Sequence, residues 1–428
     1  MSEPLTQPSA SDPNEPMTQP VASVRAPSKY FVGLTIGYLG LYFALMTPVL
    51  VSMQIKAQTI SDDPAALLQP VLSIGALGAL IANPLAGALS DRTRTRWGRR
   101  RPWLLSGVIV FLGGLAWVAF SEDQTSLIFA WLLCQLAANT TLASLVASFA
   151  DNVPQFQRGL GSSLIAVAQN VAILGGTYLT VFFVGNMPVL FILPGIIAVI
   201  AIVIYTFTCK DELPTYKLKP FTWLNLISSF WTNPIKNPDF GLAWWSRFAI
   251  ILATFMFTTY RLLYMQDHIG LSLQDATAAV ALGVLYYTIA LLVGTAIAGR
   301  LSDRLGRRKI FVGGSTALFG VGLVILAHAD DVAHFYIAEV VMGLAYGIYL
   351  AVDQALVIDV LPNADLPGKD LGVINIANAL PQSIAPAIGP LFLGIGVSDN
   401  SNYTALLWAA GVVCVLGALA VIPIKKVK

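Results

Sequence analysis

From Tyr30 onward the chain alternates long apolar runs with short polar segments, and most runs approach the ~20 residues that cross a hydrocarbon core. The runs predict helices at about 30–54, 65–88, 103–121, 125–149, 161–184 and 187–209. A second set of six is predicted at about 245–267, 276–299, 310–328, 333–357, 372–395 and 403–424. Residues 1–28 are rich in Pro, Ser, Thr and Gln and lack the apolar core of a signal peptide, so a disordered tail is expected. The polar, Pro-bearing interval 210–244 reads as a linker, with a helix on the membrane surface around Phe221 to Trp231. The expected organisation is thus a tail (1–28), a six-helix bundle (29–209), a linker (210–244) and a second six-helix bundle with a short basic tail (245–428).

Composition narrows the class. With 56% hydrophobic and 11% charged residues and a mean hydropathy of +0.72, the chain is too apolar for soluble domains. The net charge of +2 decides little, but its distribution decides more. If the N-terminus is inside, all of the 25 Lys and Arg except Lys56 and Arg261 fall on the inner side. Both termini are therefore expected in the cytoplasm, in a multi-pass protein of the cell membrane. Cys134, Cys209 and Cys414 sit singly in or beside apolar runs, as packing residues do, and no metal or cofactor is expected. No Ser/His/Asp cluster, His-Glu-x-x-His or Gly-x-x-x-x-Gly-Lys is present, which argues against hydrolysis and ATP drive. The chain reads as no enzyme, with the bilayer and a small solute as partners, no nucleic acid, and a monomeric state.

The two sets of runs repeat each other. Gly87-Ala88-Leu89-Ser90-Asp91-Arg92, followed by Trp97-Gly98-Arg99-Arg100-Arg101-Pro102, returns as Gly299-Arg300-Leu301-Ser302-Asp303-Arg304 followed by Gly306-Arg307-Arg308. Asp151-Asn152-Val153-Pro154 after the fourth run is matched by Asp359-Val360-Leu361-Pro362 after the tenth. Parallel six-span repeats with a midplane site are a common design of secondary carriers.

These residues resemble the signature loops of the major facilitator superfamily over roughly residues 30–424. The longer first loop, Asp151-x-x-Pro154 with Arg158, and Lys210-Asp211-Glu212-Leu213-Pro214 resemble the glycoside-pentoside-hexuronide and sucrose-proton symporter branches. Where the sucrose carriers usually show Gln and Arg in the fourth helix, this chain has Leu142 and Val146. The resemblance implies an all-α membrane protein of twelve spans in two pseudo-symmetric bundles, working as a transporter.

Charges within spans cost roughly 2.5–3.5 kcal/mol each at the bilayer centre, so the few present stand out. Arg261 lies in the seventh helix, Glu339 and Asp353 in the tenth. At roughly 100° per residue, Glu339, Tyr346, Tyr349 and Asp353 share about a quarter of the helix circumference. Arg261 is expected to pair with Glu339 or a solute hydroxyl. Glu339 and Asp353 are candidates to carry a coupling proton, and Asp353 is alternatively a gate contact for Arg304. Asp267 and His268 read as loop residues.

A sugar needs flat aromatic faces and hydrogen-bonding groups. Tyr38, Tyr42, Tyr260, Tyr264, Tyr346 and Tyr349 supply the faces, and Gln135, Asn139, Gln169, Asn170, Asn375, Asn378 and Gln382 the amides; any one of these could instead bond helix to helix. Asp91, Arg92, Asp151, Arg158, Asp303, Arg304 and Asp359 are expected to form a cytoplasmic gate, with Arg92 reaching Asp151. Arg94, Arg96 and Arg99 to Arg101 read mainly as topological anchors. Together these residues point to proton-coupled uptake of a small polar solute, with export of drugs or metabolites by proton antiport, or sensing without transport, as alternatives on the same fold.

Overall fold

The structure is a computed structural model, and it describes residues 25–211, 234–362, 367–397 and 401–427. Most of the expected tail, and the expected surface helix around Phe221 to Trp231, lie outside the described residues. Among those described, 12 helices are long and apolar enough to cross a membrane.

The first half holds α1 (Ser28–Gln58), α2 (Pro64–Arg92), α3 (Arg101–Phe120), α4 (Gln124–Asn152), α5 (Arg158–Phe183) and α6 (Met187–Thr208). The second holds α7 (Pro238–Thr258, continued by Arg261–Asp267), α8 (Leu273–Leu305), α9 (Arg308–Ala327), α10 (Val332–Val360), α11 (Pro367–Leu393) and α12 (Tyr403–Val421). The predicted seventh helix starts too late. It begins at Pro238, because a Pro in the first turn needs no N–H acceptor and Phe240 and Ala243 are buried.

Packing repeats with the sequence. In the first half α1 lies against α5 and α6, and α4 against α2 and α3. In the second, α7 lies against α11 and α12, and α10 against α8 and α9. The halves meet through α2 on α11 and α5 on α8. These are two pseudo-symmetric six-helix bundles.

Helix ends differ between the two faces of the protein. At the end away from the basic loops, which we call the far end, α2, α4, α6, α8, α10 and α12 each start with a short polar N-cap. Asp63, Asp123, Asn186, Ser272, Asp331 and Asn402 accept from a backbone N–H in the following turn. At the basic end α1, α3, α5, α7 and α9 have no such side-chain cap. The start of α3 is served instead from a distance: the Asp211 carboxylate accepts the backbone N–H groups of Arg99, Arg100 and Arg101 at 3.1, 2.8 and 2.8 Å.

Two helices depart from regularity at their far ends. Pro48 brings no N–H, and α1 widens into a π-helical stretch, Pro48–Ser52. Helix α7 breaks at Thr259 and Tyr260.

Candidate functional site

Two ion pairs join α7 to α10. Near the far end, Arg261 Nη1 donates to Glu339 Oε1 at 3.1 Å, with side chains only 5% and 1% exposed. Towards the basic end, Arg247 Nε donates to Asp353 Oδ2 at 2.8 Å and its Nη2 reaches the same oxygen. Helix α7 runs from the basic end and α10 back towards it, so the pairs form two rungs of one ladder. The fourteen residues between rungs correspond to ~21 Å of helix. Desolvated charges need such partners, since an unpaired one would be far costlier than the pair. Asp353 thus sits on Arg247 and not on Arg304, which is exposed. Arg247, counted from the sequence among the inner-side basic residues, is buried.

Aromatic rings fill the space between the rungs. Tyr346 and Tyr349 stack with centroids 5.8 Å apart, and Tyr287 of α8 comes within 6.4 Å of Tyr346. Among the described residues, Arg261 Nε at the far rung is a buried polar atom without a hydrogen-bond partner, while at the other rung the Tyr349 hydroxyl interacts with Arg247 and Asp353. The Arg261 Nε–H is a donor that an oxygen of a solute or a water could satisfy.

Other expected binding residues are divided among different tasks. Tyr38 and Tyr42 stack at 6.0 Å on α1, and on α4 Asn139 Nδ2 donates to Gln135 Oε1 at 3.2 Å. Gln169 and Asn170 lie half-buried on α5, with Asn170 donating to the Ala166 carbonyl. On α11, Gln382 Nε2 donates to the Asn378 carbonyl at 3.0 Å, and the Asn375 side chain lies outside the described residues. Tyr260 and Tyr264 are turned into the packing of the second half. Tyr260 Oη donates at 3.1 Å to the Pro386 carbonyl, the acceptor left free because Pro390 has no N–H. Tyr264 Oη donates to the Leu326 carbonyl at 2.8 Å.

At the basic end, Asp151 accepts from Arg99 Nη2 at 2.8 Å and Arg100 Nε at 3.0 Å, while Arg100 Nη2 reaches Asp91 at 2.5 Å. These bonds tie α2, α3 and α4 of one half together. Arg99 and Arg100 are buried, so they are structural members of the loop and not headgroup anchors alone. Asp359 is held by Arg308, and the two partners are 51 positions apart, as Arg100 and Asp151 are. The repeat is therefore visible in side-chain pairing. Arg158 donates to the Val153 and Ala150 carbonyls and so caps the end of α4. Arg92 is exposed, and the Asp303 side chain lies outside the described residues.

The halves are joined at the far end by amides that the sequence did not single out. Gln54 Oε1 accepts from the Leu262 N–H at 2.9 Å, Gln58 Nε2 donates to Gln266 Oε1 at 2.7 Å, and Gln69 Nε2 donates to the Ala387 carbonyl at 3.0 Å. Gln58 and Gln266 are 208 positions apart, the offset that also relates Asp151 to Asp359, so like meets like across the pseudo-twofold. Above them a cavity of about 580 Å³ opens between the halves, lined by Asp62, Asp63, Asp267, Ser401 and Tyr403 among others.

Two six-helix membrane bundles, packed with the same helix pairing and joined at one end, define a polytopic protein of the transporter class. The chain belongs to the Major Facilitator Superfamily, whose family model matches residues 31–286 and 264–428. It is 32% identical over 140 residues to an uncharacterized symporter of Synechocystis sp., a match covering 27% of this chain and 26% of that protein. The myo-inositol transporter 3C of Cryptococcus neoformans is 32% identical over 126 residues, 29% of this chain and 20% of that one. A multidrug resistance protein of Escherichia coli, MdtG, is 26% identical over 351 residues, 80% and 81% of the two chains. The first two matches thus span about a quarter or less of those relatives. Among solved structures, the nucleoside transporter NupG superposes with a TM-score of 0.73 over 92% of this chain and 99% of its own, at 12% identity, which speaks to the fold.

Proposed function

We propose that this transporter takes up a small polar solute, a sugar or glycoside by preference, together with a proton, by rocking its two halves around a central site. The observation that carries the reading is the Arg261–Glu339 pair, a fully buried carboxylate within a span, with Arg261 as its ion-pair partner. The basic end is assigned to the cytoplasm because Lys and Arg of short loops stay inside. With the far end joined by amides, the structure then corresponds to a state closed towards the outside.

In this reading a proton on Glu339 cancels its charge and leaves the Arg261 guanidinium without a counter-ion. A buried guanidinium seeks acceptors, and the oxygens of a sugar supply them. Solute binding and protonation therefore favour each other. Tyr38, Tyr42, Gln135 and Asn139 in the first half, and Tyr346, Tyr349, Asn378 and Gln382 in the second, would supply rings and amides to the same solute. Asp353 with Arg247 is the second candidate for the proton. Asp91, Asp151 and Arg100, with Asp359 and Arg308, would brace the cytoplasmic gate.

Thermal shift of the purified protein against disaccharides, oligosaccharides, nucleosides and other polar solutes identifies the class. Concentrative uptake of the hit into proteoliposomes should collapse with a protonophore. Accumulation that survives it and requires sodium would overturn proton coupling. The match to MdtG over most of both chains supports a second reading, export of amphipathic compounds. Counterflow with labelled sugar against labelled drug separates the two, since a true substrate exchanges.

A further inference from the structure

Helix α7 breaks where α1 touches it. In an unbroken helix the Leu262 N–H would bond to the Thr258 carbonyl, four residues back. Here the side-chain amide of Gln54 stands between them: its Oε1 accepts from Leu262 N at 2.9 Å, and its Nε2 faces the Thr258 carbonyl at 3.5 Å. The same Nε2 donates to the Leu50 carbonyl in the π-helical stretch of α1 at 2.8 Å, which fixes the amide's orientation. Gln54 is fully buried. Arg261, whose guanidinium meets Glu339, lies directly between Thr258 and Leu262 in the chain.

We propose that Gln54 is a positioning residue for the Arg261–Glu339 pair, linking closure of the far end to the state of that pair. With the halves joined, the inserted amide holds α7 open and turns Arg261 onto Glu339. When they separate, Gln54 leaves with the first half. The Leu262 N–H cannot stay unpaired in an apolar surround. Its nearest replacement is the Thr258 carbonyl, so α7 reseals, the helical phase at residue 261 changes, and Arg261 turns off Glu339. A side chain inserted into the i to i−4 ladder is an established cause of helix kinks. Here the inserted group belongs to the opposite half, which makes the kink conditional on closure. The inference rests on the two halves moving against each other and not on which solute or ion is carried.

The test needs no substrate. Nitroxide labels on Thr59→Cys and Gln274→Cys, exposed on opposite halves at the far end, report separated against joined populations by pulsed electron–electron distance measurement; the native cysteines are buried. Gln54→Met keeps volume without the amide. Gln54→Met and Glu339→Gln should each raise the separated-to-joined ratio severalfold, and the double variant should rise no further than Gln54→Met alone, because the pair is already lost. Gln58→Met with Glu339→Gln should instead multiply, since the Gln58–Gln266 bond does not enter α7. Multiplication for the Gln54 cycle, or no effect of Gln54→Met, overturns the proposal. Should the double variant not fold, hydrogen exchange across residues 259–263 decides: continued protection in Gln54→Met shows resealing, and faster exchange shows that α7 stays broken and sinks the idea.

Discussion

Arg247 and Asp353 form a buried ion pair across α7 and α10, with both Nε and Nη2 of the arginine on a single carboxylate oxygen. Taking one partner away strands the other in a low-dielectric interior at a cost of about 3–5 kcal/mol, whereas replacing both with apolar groups is close to neutral. Asp353→Ala is therefore expected to lower the melting temperature strongly, and Arg247→Leu with Asp353→Leu to recover most of the loss. A double variant as unstable as the single would mean that the pair contributes more than charge balance to the fold.

Helices α8 and α10 meet at glycines. A Cβ on Gly347 would stand 2.1 Å from the Leu291 carbonyl oxygen, and one on Gly343 would stand 2.3 Å from that of Tyr287. Backbone cannot yield as a flexible side chain does, so Gly347→Ala should force α8 and α10 apart at a cost of about 1–3 kcal/mol. Gly299→Ala meets nothing within 4 Å and should be neutral or slightly stabilising, by up to about 1 kcal/mol. Thermal unfolding of the two variants in the same detergent checks the contrast.

The fold was legible because a bilayer demands long apolar runs, and all twelve predicted helices are present, the seventh beginning at Pro238, well before its predicted start, and the others with ends displaced by less. The Arg261–Glu339 pair was legible for the same reason, since charges within such runs are conspicuous. Arg247 was not, because it lies close enough to the start of its run to resemble an interfacial arginine. Arg99 and Arg100 were lost among six arginines of one loop, where only tertiary structure separates a buried ion-pair partner from a solvated neighbour. Gln54, Gln58 and Gln266 carry no charge and sit at span ends, where amides are unremarkable. Their role appears only when the halves are brought together. Tyr260 and Tyr264 read as sugar-facing rings, but the Pro386 and Leu326 carbonyls needed donors.

Two aspartates at the basic end should behave in opposite ways. Asp211 accepts three backbone N–H groups at the start of α3, so Asp211→Ala should cost about 1–2 kcal/mol as a lost helix cap. Asp91 has a side chain 44% exposed in its pair with Arg100, and such pairs contribute at most about 1 kcal/mol. Asp91→Asn should thus insert and melt almost as the parent does. If the loop braces a gate, uptake by that variant nevertheless falls at least tenfold; normal uptake would reduce the loop to an anchor.

Glu339→Gln separates binding from coupling. The amide keeps the shape of the side chain and an acceptor for Arg261, but it carries no charge and takes up no proton in the working range. If Glu339 carries the coupling proton, the variant resembles a permanently protonated carrier. It can still bind solute and change orientation while loaded, so counterflow of the sugar returned by the thermal-shift screen should persist within a fewfold of the parent. Net uptake driven by a proton gradient requires the empty carrier to return deprotonated, and that step is closed to the variant; concentrative uptake should fall to background. Asp353→Asn serves as the comparison, because one of the two carboxylates must show this split if either couples. Loss of both activities in Glu339→Gln, with uptake intact in Asp353→Asn, would assign Glu339 to binding and remove the coupling proton from both positions.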